Sequence, residues 1–117
     1  MATNSQIAFA PQGETIVVAA AVAPPVGVQA PVYDKFDAQG MGQYRIVNSS
    51  ANTVFLGVGA TAALATANAV APVAGNPSPA IVLVPGAVEI LRFNRTVYFS
   101  GAASSASTVY IVPGEGL

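Results

Sequence analysis

"AIVLVPGAVEILRFNRTVYFSGAASSASTVYIVPGEGL", residues 80–117, decides the fold. It holds four short runs rich in Val, Ile, Tyr and Phe: Ala80–Val84, Val88–Phe93, Thr96–Ser100 and Thr108–Val112. "PGA", "NR" and "GAASSAS" separate them. β-branched and aromatic residues suit a pleated, half-buried surface, and Pro, Gly, Asn and Ser clusters supply turn geometry. Strands at a spacing of roughly 8–12 residues with such punctuation predict an antiparallel sandwich or barrel. A Pro or Gly at each border limits edge pairing. The last run reads as a closing strand with Val109 and Ile111 on one face. Pro113 is expected to end its hydrogen bonding, and Gly114 and Gly116 free the backbone around Glu115, the tail's one carboxylate.

Upstream, the same signal continues. "QYRIVNS" (Gln43–Ser49) places Tyr44 and Ile46 on one face and Arg45 and Val47 on the other. "TVFLGVG" (Thr53–Gly59) places Val54, Leu56 and Val58 opposite Phe55, Gly57 and Gly59. With the small polar turn "SSAN" between them, the two runs predict a hairpin. Residues 60–79 are low in complexity and read as a loop with one or two helical turns in Leu64–Val70, because Thr, Asn and Pro dilute the helix preference of Ala. "VYDKFDAQGMGQ" (Val32–Gln43) is a loop carrying three charges. Before it, "ETIVVAA" (Glu14–Ala20) is a strand, and "PPVGVQAP" (Pro24–Pro31) is a polyproline-like connector able to lie across a neighbour. The expected architecture is all-β: a small antiparallel β-sandwich or barrel of about seven short strands over residues 32–117, with an extended N-terminal arm over 1–31. Deletion of Met1–Ala30 is expected to leave that domain folded.

Composition narrows the function. The 117 residues make one domain, able to bury roughly two-thirds of the extended-chain surface. There is no Cys, His or Trp. That excludes disulfides, thiolate or imidazole metal sites and His-based acid–base catalysis, so no enzyme activity, metal or cofactor is expected. Only 8% of residues are charged, against a typical ~25%, and none lies between Arg45 and Glu89. Isolated domains stay apart through charged surfaces, so this surface suits a chain largely covered by partners. Lys35, Arg45, Arg92 and Arg95 are too few and scattered for phosphate-driven nucleic-acid binding. Mean hydropathy is +0.58, yet Pro24, Pro25 and Pro31 break the longest uncharged apolar stretch, so no membrane span is expected. The N-terminus has no basic residue ahead of its apolar part and does not read as a standard secretory signal.

Three motifs have simpler readings. "GVGATA" (Gly57, Gly59, Ala62) matches a dinucleotide fingerprint, but no acidic residue follows about 20 positions on and no βαβ unit surrounds it. Asp34 and Asp37 in "DKFDAQG" lack the alternating ligands and closing Glu of a calcium loop. The triplets "NSS" at Asn48 and "NRT" at Asn94 match glycosylation acceptors, a pattern common by chance. On one strand Glu89 and Arg92 face opposite ways, leaving a cross-strand or intersubunit pair of Glu89 with Arg45 open. The aromatics Tyr44, Phe55, Phe93, Tyr98, Phe99 and Tyr110 interleave with aliphatic residues and read as packing, not as a base-stacking platform. The candidate interface residues are Pro24, Pro25, Val26, Asp34, Asp37, Arg45, Glu89, Arg92, Arg95 and Glu115.

"YRIVNSSANTVFLGVG", "VLVPGAVEILRF" and "STVYIVPGEGL" together resemble small structural proteins of tailed-bacteriophage virions, in particular head-decoration or cement proteins. The resemblance covers roughly Gln43–Leu117. Its matching positions are Arg45, Asn48, Phe55, Pro85, Gly86, Glu89, Tyr110, Pro113, Gly114, Glu115 and Gly116, which look like turn and packing positions. It implies a non-enzymatic virion protein, made in the bacterial cytoplasm. Such a protein sits on the capsid surface as a homodimer or homotrimer and binds across major capsid protein subunits. A neck, tail or fibre-base component is the alternative within a virion, and a small carbohydrate-binding β module the alternative outside it.

Overall fold

The computed structural model describes residues 9–11, 13–30 and 41–115. Its elements in chain order are β1 (Ala10–Pro11), β2 (Ile16–Ala20), β3 (Val28–Gln29), β4 (Met41–Asn48), β5 (Val54–Gly59), α1 (Ala62–Asn68), β6 (Ile81–Leu83), β7 (Val88–Asn94), β8 (Tyr98–Ala103) and β9 (Ser107–Glu115). They build two antiparallel sheets. The first has the order β1-β9-β4-β7, with β2 pairing along β9 beside β1; the second has the order β3-β8-β5-β6. The all-β class is as expected, in its sandwich form. The short α1 lies on the outer side of the second sheet.

The core forms where the two sheets face each other. Val18, Tyr44, Ile46, Val109 and Ile111 come from the first sheet, and Val54, Leu56, Leu83 and Phe99 from the second. Tyr44, Phe93 and Phe99 form an aromatic cluster at its centre, with Tyr44 and Phe99 edge-to-face at 5.3 Å between ring centroids. Burial pushes the Tyr44 phenol up to about 12.

The expected hairpin is not formed. β4 pairs with β7 and β9, whereas β5 pairs with β6 and β8. The five residues between Asn48 and Val54 carry the chain from one sheet to the other. Asn48, fully buried, holds that crossing. Its Nδ2 donates to the carbonyls of Asn52 (2.8 Å), Leu83 (2.9 Å) and Val84 (3.2 Å). Its Oδ1 accepts from the Ser50 amide (3.0 Å) and hydroxyl (2.7 Å). The β6–β7 crossing is clamped to the same residue, because the Gly86 amide donates to the Asn48 carbonyl at 3.0 Å. Gly86 has φ +78°, which is why "PGA" carries glycine there. With both amide atoms spent inside, Asn48 is a clamp and not a glycan acceptor.

Two further boundaries differ from expectation. β9 does not stop at Pro113 but runs to Glu115. Pro113 faces Tyr44 on β4, and on its other side it falls between β1, which ends opposite Gly114, and β2, which begins opposite Ile111. The missing N–H is lodged at a break in the ladder. The run expected at Thr96–Ser100 begins later and reaches Ala103. Asn94 Oδ1 accepts from the Thr96 amide (2.9 Å) and hydroxyl (2.7 Å), an Asx-type turn that takes Thr96 out of the strand.

The helical turns expected near 64–70 appear as α1, capped by the Thr61 hydroxyl accepting from the Leu64 amide at 3.1 Å. Its backbone lies directly on β5. A Cβ added at Gly57 would stand 2.2 Å from the Ala65 carbonyl oxygen and 2.4 Å from the Ala69 amide. The glycines of "GVGATA" therefore seat a helix on a sheet.

Residues 16–20 belong to the sandwich. Val18 and Ala20 are buried, and β2 pairs with β9 over its whole length. This part of the N-terminal segment is packed as core.

Candidate functional site

The outward face of the first sheet is the most distinctive surface among the described residues. Register assigns it. Arg45 on β4 stands between Ile90 on β7 and Val112 on β9. Val47 stands between Val88 and Tyr110, and Tyr110 is in turn opposite Val17 on β2. These residues alternate with the buried Tyr44, Ile46, Val109, Ile111 and Val18. Antiparallel strands with one wet face normally alternate apolar and polar. Here the outward parity also carries a run of apolar residues, with Gln43, Arg45, Arg92 and Thr108 among them.

The exposure is large. Val17 and Ile90 are 50% exposed, Val88 49% and Tyr110 41%. Covering the remaining half of each side chain contributes about 1 kcal/mol apiece. Four strands at ~4.8 Å spacing make this a contiguous patch, not scattered single residues.

The sequence-derived candidates distribute around it. Arg45 and Arg92 lie on this face, with Arg92 opposite Gln43. Glu89 is opposite the buried Ile46, so the register puts it on the other side of the sheet from Arg45, and the two do not form a cross-strand pair. Arg95 is in the turn that follows β7. Among the described residues no strand lies beyond β7 in the sheet order. Glu89, Arg92 and Arg95 on or just after such an edge are the charges that discourage strand addition there.

Pro24, Pro25 and Val26 lie elsewhere, on the connector from β2 to β3 beside α1. The Pro25 carbonyl accepts from the Thr66 hydroxyl (2.9 Å) and the Ser100 hydroxyl (2.7 Å), which ties the connector down. Val26 stays exposed. A cavity of ≈ 610 Å³ opens beside the connector at Val22 and Pro24, lined among others by Phe55, Val70, Ala102 and Ser104. Glu115 ends β9 opposite Ala10. Asp34 and Asp37 lie outside the described residues.

Sequence reasoning missed Val17, Val88, Ile90, Tyr110 and Val112. The signal was present, since "VEILRF" and "TVYIV" are apolar at both parities. Among the described residues no group of three or more His, Cys, Asp or Glu is placed to hold a metal ion, and no helix is long and apolar enough to cross a membrane. Comparison with protein-family models, with curated proteins and with solved structures finds no match.

Proposed function

We propose that this chain is a non-enzymatic virion structural protein that decorates and stabilises a phage capsid by binding across major capsid protein subunits. The observation that carries the proposal is the outward sheet face, whose alternate positions Val17, Val47, Val88, Ile90, Tyr110 and Val112 are apolar although folding needs only the inward ones. A face of this kind is stable in water when something covers it. The low charge of the whole chain agrees, and so does the resemblance in the β4–β5, β6–β7 and β9 segments. One such contact is modest, but repetition on a lattice multiplies it through effective concentration.

The test is co-sedimentation of the purified chain with expanded, undecorated capsids. Saturable pelleting supports the reading, and none at saturating protein refutes it. Copy number in purified particles separates capsid decoration from a neck or tail place, because a surface lattice carries many more copies than a vertex or tail ring.

A further inference from the structure

We infer that the outward face of the first sheet docks a partner surface that is apolar and presents a carboxylate to Arg45, and that this partner is not a second copy of the chain. The inference rests on the decoration reading and specifies the chemistry of its contact.

Arg45 is a charge that edge protection does not explain. Glu89, Arg92 and Arg95 sit on or beside the open edge strand β7, where charge guards against strand addition. Arg45 sits on β4, an interior strand paired on both sides, so it guards no edge. Its neighbours across the sheet are Ile90 and Val112, both β-branched and apolar. It is exposed, in the middle of a face whose other described outward side chains include Val17, Val47, Val88 and Tyr110. Thr or Ser there would give the same sheet without a cation.

Covering that face with any protein removes water from the guanidinium. A buried, unpaired cation is costly, whereas a planar guanidinium meeting a carboxylate gains a bidentate, charge-assisted pair. The occupant that covers the apolar rows without penalty is one that brings an acidic group to Arg45.

A second copy does not meet this requirement. A two-fold contact places the same patch on both sides, so Arg45 of one chain would enter a patch that itself carries a second Arg45. Among the described outward side chains of β2, β4, β7 and β9 there is no Asp or Glu to receive Arg45, since the register puts Glu89 on the other side. Like charges brought together in a dry contact discriminate strongly against that pairing.

The experiment uses the full chain, expanded undecorated capsids and four variants at exposed positions: Arg45→Glu, Arg45→Ala, Ile90→Asp, and Val82→Asp on β6 in the other sheet as the control. Thermal melts establish that each is folded. Wild type and V82D are expected to pellet alike, and R45E and I90D to bind about tenfold more weakly or worse. Raising salt should weaken wild type more than Arg45→Ala. Wild type and both face variants pelleting equally would overturn the inference and leave the decoration reading standing. Loss in V82D with I90D intact would place the contact on the other sheet and also overturn it. Wild type that stays in the supernatant would remove the decoration reading and this inference with it. Sedimentation velocity of the chain alone adds one more outcome: an oligomer that I90D dissociates would make a second copy the occupant, against the inference.

Discussion

Asn48 should be the most sensitive polar position in the chain. An amide nitrogen carries two hydrogens, so its three short contacts amount to one bond to Asn52 and one shared between Leu83 and Val84. With the two bonds accepted from Ser50, four hydrogen bonds depend on one side chain. At about 1 kcal/mol net for each bond, Asn48→Ala should cost about 3–5 kcal/mol, the upper part reflecting buried carbonyls left unpaired. A chain of this length has about 6–17 kcal/mol in total, so N48A should fold with a clearly lowered midpoint. Asn48→Asp keeps the shape but turns the two-hydrogen donor into an acceptor facing three carbonyls. It should cost more than alanine at neutral pH. Acidification should narrow that gap, because the protonated carboxyl regains one O–H donor. Urea unfolding followed by circular dichroism, at neutral and acidic pH, measures both. N48A within about 1 kcal/mol of wild type, or N48D the milder variant at neutral pH, would refute the clamp.

Three further outcomes follow from the packing. Gly57→Ala drives a methyl into the backbone of α1 and should cost about 3 kcal/mol or more, read as a lowered melting temperature; an unchanged melt would show that α1 is not seated as described. The Tyr44 phenol is raised to about 12 against an ordinary ~10. Its contribution is therefore fully present below pH ~10 and is lost as pH climbs towards 12, up to about 2–3 kcal/mol. Tyr44→Phe should flatten stability across that window, and an equal alkaline fall in Y44F would assign the effect elsewhere. Deleting residues 1–30 removes β2 and β3 with the buried Val18, Ala20 and Ala30, so the truncated chain should be unfolded by circular dichroism; a native spectrum would make the segment dispensable.

Local chemistry made the strands legible and long-range pairing hid their partners. The β-branched runs of β5, β6, β7 and β9 were readable because residue type and turn punctuation act within a few residues. A four-residue polar link reads the same whether the chain returns to its own sheet or crosses to the other, so β4 and β5 looked like a hairpin. The difference lies in Asn48, whose partners Leu83 and Val84 are 35 and 36 positions away. Gly57 raised the same problem. In sequence it only matched a dinucleotide fingerprint that its surroundings did not support, and the approach of α1 shows that its missing Cβ makes room for a helix. β2 was readable as a strand, but its place in the core depends on pairing with β9 at the opposite end of the chain.

Strand parity carries two separate messages, and in the first sheet they can be read apart. Val109, Ile111 and Pro113 on β9, with Tyr44 and Ile46 on β4, are buried between the two sheets, and these inward positions are the ones the core uses. Nothing in it constrains Tyr110 and Val112, or Val88 and Ile90 on β7, which could be Thr, Ser or Lys without disturbing a core contact. The chain has ample small polar residues and places them in the turns, as Ser49, Ser50 and Asn52, and Ser104 and Ser105, show. Core packing therefore does not account for the apolar residues at the free parity of neighbouring strands. Their cause is sought outside it, in a surface that meets four strands at once, and Arg45 at the middle of those strands gives that surface a sign.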